Sequence, residues 1–296
     1  MRIGRLLSIL LFGVVTLASR AQDREVAGVS LSYAPLKYND TLASVQQLEA
    51  RFRFPLFAGI KSQLIGTVSY RRTTFNDFDS FTDRSLQGIS SQLAWLRRTG
   101  ARTEMLLFAQ AGLFSDFADI SAKDLRLSAG FRYRVRQSPS VKYGFGLAYS
   151  RQFFGNQIIP FIDFDWRPDN RWHVYGQFPV KPRIEYSLTN NWTLGTGLLG
   201  EASSYRLSAK DHQNQFVKNA QWGLNMYTEK AVYKSLTLHV GTGCYLKRTF
   251  RKYNDSDHSP WTVITVPLGT KPDPVMKADS RSWFVEFAVS YNLLTR

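Results

Sequence analysis

A chain of 296 residues with a formal charge of +15, one cysteine and 14% aromatic residues has the size of one large all-β domain or two ordinary domains. The single Cys244 excludes a disulfide-stapled scaffold, and after the first segment no uncharged apolar run approaches 18 residues, which excludes a helical membrane protein. So basic a chain raises nucleic acid as a partner, but many of its basic residues fall at alternate positions of strand-like segments and not in a helix or tail, so no nucleic acid is expected.

At the amino end, Arg2 and Arg5 precede an apolar run over 6–17, and Ser19-Arg20-Ala21 supplies the small residues that a signal peptidase reads. The run is shorter than the roughly 20 residues of a spanning helix. The expectation is an exported chain with a signal peptide over 1–21, cleaved near Ala21, and one domain over 22–296. Loss of the leader's three arginines leaves a charge of +12. No lipobox cysteine follows, so no lipoprotein anchor is expected.

From Val26 onward the chain reads as strand, break, strand. Ala27, Val29, Leu31 and Tyr33 alternate up to Pro35. Leu48, Ala50, Phe52 and Phe54 oppose Gln47, Glu49, Arg51 and Arg53 in a second strand that Pro55 is expected to close. Leu64 to Tyr70 makes a third, followed by a polar loop over 75–83, and a fourth ends at Arg97-Arg98-Thr99-Gly100. Met105, Leu107, Ala109, Ala111 and Leu113 form the fifth. Residues 125–153 then give the cleanest signal in the chain. Leu125, Leu127, Ala129, Phe131, Tyr133 and Val135 alternate with Arg126, Ser128, Gly130, Arg132, Arg134 and Arg136. After the turn at Gln137-Ser138-Pro139-Ser140, the set from Val141 to Tyr149 opposes Lys142, Gly144, Gly146, Ala148 and Ser150. Period two is the side-chain period of a strand, and roughly 11 residues is what a tilted strand needs to cross a bilayer.

Phe154-Gly155-Asn156-Gln157 reads as a turn, leading to strands over 158–166, 172–178 and 183–188, the last two short. A strand from Trp192 extends towards Leu207, a loop covers 210–218, and further strands follow over 220–227 and 236–244. Residues 249–281, with four prolines, read as the longest irregular segment, and Trp283 to Leu293 alternates as the last strand. This gives about fourteen strands, with twelve left open by the two short ones. Connections after even strands are short and several after odd strands are long, the pattern of a barrel with both termini periplasmic. A mean hydropathy of −0.26 despite many aromatics suits two faces that cancel. The fold expected is a single antiparallel transmembrane β-barrel of the bacterial outer membrane. Tyr33, Tyr70, Trp95, Trp166, Trp172, Trp192 and Trp283 are candidates for its interfacial girdles.

Five stretches carry a family resemblance: Gly112-Leu113-Phe114-Ser115-Asp116-Phe117-Ala118-Asp119-Ile120; Tyr149-Ser150-Arg151 with Gly155-Asn156-Gln157 and Pro160; Asp165-Trp166-Arg167-Pro168; Pro182-Arg183-Ile184 with Tyr186; and Leu188-Thr189-Asn190-Asn191-Trp192. With them the chain resembles the outer-membrane barrels called domain of unknown function 6268. The resemblance implies a barrel and the outer membrane, and transfers no activity.

Inward placement is expected for Arg51, Arg53, Arg71, Arg126, Arg132, Arg134, Arg136, Lys142, Arg151 and Arg183, with the acids Glu49, Glu104, Asp163, Asp165, Glu185 and Glu286, because a charge facing lipid costs about 2–4 kcal/mol at the midplane. Paired, these residues stiffen a closed barrel; unpaired, the surplus cations make an anion-leaning pore. The leading reading is a small-solute channel or uptake protein. The alternatives are a closed structural or partner-binding barrel and a lipid-modifying rim enzyme. For the last, Asp211-His212 and Asp257-His258-Ser259 sit in expected outer loops, yet no motif fixes a nucleophile, and no catalytic residue is assigned. Metal-ligand spacing is absent and no cofactor is expected. Expected partners are outer-membrane lipid and lipopolysaccharide, small anionic solutes, and the barrel assembly machinery through the carboxy-terminal strand.

Overall fold

The computed structural model describes residues 25–38, 41–77, 85–212, 214–233, 235–256, 261–269 and 272–292. The proposed leader, His258 and the last four residues lie outside them. Sixteen strands follow in order: β1 (Glu25–Tyr38), β2 (Thr41–Ala58), β3 (Ser62–Asn76), β4 (Leu86–Arg98), β5 (Thr103–Ser115), β6 (Leu125–Arg136), β7 (Val141–Gln152), β8 (Gly155–Trp166), β9 (Trp172–Phe178), β10 (Lys181–Thr189), β11 (Trp192–Leu207), β12 (Gln215–Tyr233), β13 (Leu236–Asn254), β14 (Trp261–Val263), β15 (Val266–Leu268) and β16 (Met276–Asn292). Fourteen of them, β1 to β13 and β16, pair antiparallel with their neighbours. The β1–β16 and β8–β9 pairings close the ring. Glu25 pairs with Asn292, so both ends of the described chain lie at the rim that carries the short turns.

The period-two pattern is realised throughout the lower ring. Val29 and Leu31 of β1, Phe145 and Leu147 of β7, Val240 of β13 and Phe287 and Val289 of β16 are exposed on the outer face. Positions between them point inward. Two inward glycines are required by close approach: a Cβ on Gly144 would overlap the backbone of Tyr133, and one on Gly146 would overlap the Phe161 ring. Aromatics mark both edges of the apolar belt. Tyr33 packs on Trp283 at the loop side (ring centroids 6.1 Å), and Trp172 packs on Tyr186 at the turn side (4.9 Å). Between Trp283 and Tyr291, a strand tilted by about 40° rises about 20 Å, close to the height of a bilayer's apolar band.

The loop end departs from the expectation of a simple barrel. The β9–β10 hairpin is only 7 and 9 residues long, so β8 from Gly155 to Phe161 and β11 beyond Leu198 lose their neighbour there. Each free edge is taken up differently, as unpaired strand edges generally are. β14 adds to β8 in parallel at Asn156–Ile158. β11 bends inward and meets β5 through a parallel bridge between Arg206 and Ser115, where the Asp116 N–H donates to the Arg206 carbonyl (3.1 Å).

That bridge closes a second, narrower ring of nine strands: β11, β12, β13, β16, β1, β2, β3, β4 and β5. All nine send an apolar side chain into it. Leu36, Ala43, Val45, Leu86, Tyr205, Leu207, Val217, Phe250 and Ala278 are buried, with Phe75, Phe114 and Met276 packed against them. A ring of eight or nine strands is narrow enough for side chains to fill. β6, β7, β8 and the β14–β15 hairpin stand outside this ring and lean on its wall, joined by the buried cluster of Phe154, Phe216 and Tyr253.

Several boundaries differ from the expectation. Pro55 does not close β2, which runs on to Ala58 past a register shift. The segment over 249–281 is largely ordered, because β13 continues to Asn254, β16 begins at Met276, and β14 and β15 lie between. The turn expected at 154–157 is tighter: Phe153 and Phe154 make it, and Gly155, already in β8, takes a φ of 114°.

Candidate functional site: the charged interior

The interior below the apolar cap holds three charged groups. In the middle, Arg71 of β3 grips Glu49 of β2 (2.8 Å) and reaches Glu201 of β11, a strand it does not adjoin. That contact spans the interior. Arg51 joins Glu49 at 2.5 Å, and Gln221 donates to Glu201 at 3.3 Å. Arg126 of β6 bonds the Ser204 carbonyl and lies over the Phe114 ring at 3.7 Å. Lys181 at the start of β10 neighbours Glu201, Arg71 and Glu49, and its side chain is open to water although protein surrounds it. That combination is what a wet lumen produces. Arg248 of β13 is 1% exposed and lies over Tyr245 and Phe250 (4.6 and 4.9 Å), with its Nε and Nη2 unpartnered. Arg51, Arg71, Arg126, Lys181 and Arg248 thus outnumber Glu49, Glu201 and the nearby Glu286.

Nearer the turns, a second group is balanced. Arg134 holds Asp163 in a two-pronged grip (Nε to Oδ2 2.5 Å, Nη2 to Oδ1 3.0 Å). Arg132 reaches Asp163 at 3.4 Å, and both arginines approach Glu104. A third group runs from Lys142 through Asp165 and His173 to Glu185. Lys142 is 2.9 Å from Asp165, His173 Nε2 lies 2.9 Å from Asp165, and both Tyr175 and Tyr227 donate to Glu185 (2.6 and 2.8 Å). Arg183 lies 5.6 Å from the Tyr227 ring centroid. Arg53 and Glu286 are half-buried at inward positions, and Arg136 is exposed at the turn-end rim beside Arg98 and Lys142.

Arg151 does not take the inward place expected of it. It shares the parity of the outward Leu147 and Tyr149, not that of the buried Ser150 and Gln152, and it is exposed on the outer face. Its place at the loop end of β7 explains why this costs little, since a long side chain there reaches beyond the apolar belt.

Glu201, Lys181 and Arg248 also line the interior, beyond the residues that the sequence pattern singles out. Alternation from Leu194 through Thr196 and Leu198 puts Glu201 inward, so that signal was present. Arg248 had none, because the register shift between Tyr245 and Arg248 reverses parity, turning Lys247 out and Arg248 in. Among the described residues no three His, Cys, Asp or Glu side chains gather as metal ligands.

The cap is fastened by a polar clasp where β11 meets the β5–β6 connection. The Asp116 carboxylate accepts from the Ser208 hydroxyl (2.5 Å), the Ser208 and Ala209 N–H groups (3.0 Å each) and the Ala118 N–H (3.2 Å). Burial works against its charge, but these donors, with the Ser208 hydroxyl foremost, hold Asp116 below the ordinary aspartate range. Arg206 bonds Asp124 (2.9 Å), and Ser204 bonds Gln152 (3.0 Å).

One family model, described as Domain of unknown function (DUF6268), matches residues 43–260. Among curated proteins nothing matches the chain. Solved structures similar to it include the NanC porin (TM-score 0.39, 8% identity, covering 90% of this chain and 100% of that one). The TodX monoaromatic hydrocarbon channel gives 0.38 at 8% identity (90% and 90%). The KdgM porin in complex with disordered oligogalacturonate gives 0.36 at 9% (90% and 99%).

Proposed function

The chain belongs to the family described as domain of unknown function 6268, and we propose that it is an outer-membrane uptake barrel for small anions that rests closed. Its outer belt supports the membrane placement. Burying one Val, Leu or Phe side chain is worth about 1.5–3 kcal/mol, so a whole ring of exposed aliphatic and aromatic side chains between aromatic edges suits hydrocarbon, not water. The short-turn rim then faces the periplasm, with both ends of the described chain.

One observation carries the transport part of this reading: a cation-rich tier with solvent-exposed side chains lies directly beneath an apolar cap that polar contacts of Asp116 and Arg206 fasten at one margin. A barrel built only for rigidity gains nothing from surplus inward cations, and one buried as Arg248 is, without a carboxylate partner among the described residues, costs stability. Surplus arginine and lysine along a lumen favour anions. The closed structural barrel is the second reading, favoured by the balanced network of Arg132, Arg134, Glu104 and Asp163.

Planar-bilayer recording tests the first against the second. Wild type is expected to be mostly silent, and Asp116→Asn combined with Arg206→Gln is expected to open frequently with anion preference. Silence from a correctly folded double variant would favour the structural barrel, and cation preference would reject the anion reading.

A further inference from the structure

We infer that the crevice between β12, β13 and the β14–β15 hairpin is a binding site for the headgroup phosphate of an outer-leaflet lipid. The inference uses the membrane placement proposed above but not the transport reading. Two outward columns of β12 and β13 rise beyond the apolar belt, with Trp222 opposite Lys247, Ala220 opposite Thr249, and Lys218 opposite Arg251. The hairpin closes over them, as Trp222 Nε1 donates to Thr265 Oγ1 at 3.1 Å. The enclosed space is about 90 Å³, room for about three water molecules or a group of that size.

Its chemistry points to an anion. Lys218 stands opposite Arg251 across the two strands, and both line the space. Arg251 Nε is buried without a partner, Lys247 is exposed beside it, and no carboxylate lines the space among the described residues. A phosphate supplies the acceptor that Arg251 Nε lacks, in a space that Lys218 and Lys247 also line. The crevice also has an apolar exit. Leu224 and Met226 continue the outward face of β12 from Trp222 into the belt, and both are exposed. A ligand with its phosphate in the crevice would lay an acyl chain along them, which a free phosphate could not use. Trp222 sits at the junction, where an amphipathic ring is favoured.

The test is native mass spectrometry of the full barrel in detergent micelles, with lipid A as the phosphate-bearing probe, phosphatidylethanolamine as the zwitterionic control and inorganic phosphate as the free anion. Wild type is expected to retain lipid A over phosphatidylethanolamine. Lys247→Gln and Arg251→Gln should each lower that retention about fivefold, the worth of one cation at a lipid surface. The Lys247 side chain is exposed, so its variant keeps the test valid even where Arg251→Gln fails to fold. Equal retention of the two lipids, unchanged retention in Lys247→Gln, or binding of inorganic phosphate without lipid A would each overturn the inference. Conductance of the same preparations reports separately on the uptake reading, because neither residue lies in the lumen.

Discussion

The two ends of the barrel solve opposite problems with the same strands. At the turn end, fourteen strands enclose more space than apolar side chains can fill, and charged groups occupy it as ion-paired networks. At the loop end, nine strands enclose less, and twelve apolar side chains fill it. The change comes from two short strands. Where β9 and β10 stop, β11 is released to cross to β5, and the same chain that formed a half-exposed wall becomes buried on both faces from Ser203 to Ser208. Strand length, more than composition, therefore decides where the barrel is wet and where it is shut.

The largest expected effect is at the wide end. Asp163 is 1% exposed and Arg134 7% exposed, so Asp163→Ala strips a buried guanidinium of its two-pronged acceptor. A loss of about 3–5 kcal/mol is expected, read as a lower urea midpoint for the folded barrel in detergent. Adding Arg134→Met should recover much of it. A loss well under about 1 kcal/mol would mean that lumen water screens the pair and that the balanced network does not hold the ring.

Leu207→Ala probes the narrow end. Leu207 is fully buried in the cap, and its truncation should cost about 2–5 kcal/mol. The pattern separates the two regions: this variant should raise open probability in bilayer recordings and increase protease nicking of the loop end, while the turn-end network remains intact. Unchanged gating with lowered stability would show that the cap does not control the pore.

These two ends were unequally legible in the sequence. The lower ring follows from period two alone, because one face of each strand is apolar from Val29 to Tyr291. That pattern carries the fourteen strands and the inward place of Arg71, Arg132 and Arg134. The upper ring has no local signature. Ser203, Ser204, Tyr205 and Arg206 do not alternate in polarity, since both faces are covered by other parts of the chain. Their burial depends on the distant Ser115, Asp124 and Gln152. The hairpin of β14 and β15 was hidden similarly, as three-residue strands among prolines carry no readable period.

Arg248 tests whether the boundary between the two regions is under strain. Replacing even a buried ion pair by apolar side chains of similar volume is often neutral or stabilising by about 1–4 kcal/mol, and Arg248 has no carboxylate partner to lose among the described residues. Arg248→Met should therefore raise the thermal midpoint, and it should make opening rarer by extending the apolar cap downward. A destabilised variant would instead assign Arg248 a partner in solution, and the cation surplus beneath the cap would shrink by one.

The smallest effect is a pH dependence confined to the clasp. Asp116 is held below the ordinary aspartate value of 3.8 by its donors from Ser208, Ala209 and Ala118. A carboxylate depressed in this way contributes its full stability above the ordinary value and loses it as pH falls through the lower folded value. Between neutrality and mild acid the cap should stay shut, and only in strong acid should opening rise. Asp116→Asn removes the charge at every pH, and hydrogen bonds to a charged group are worth about 1.5–3 kcal/mol, so this variant should open at neutral pH and lose the acid response. If wild type and variant respond alike to acid, the switch lies elsewhere, in the carboxylates of the wide end, and the two regions are coupled where the geometry keeps them apart.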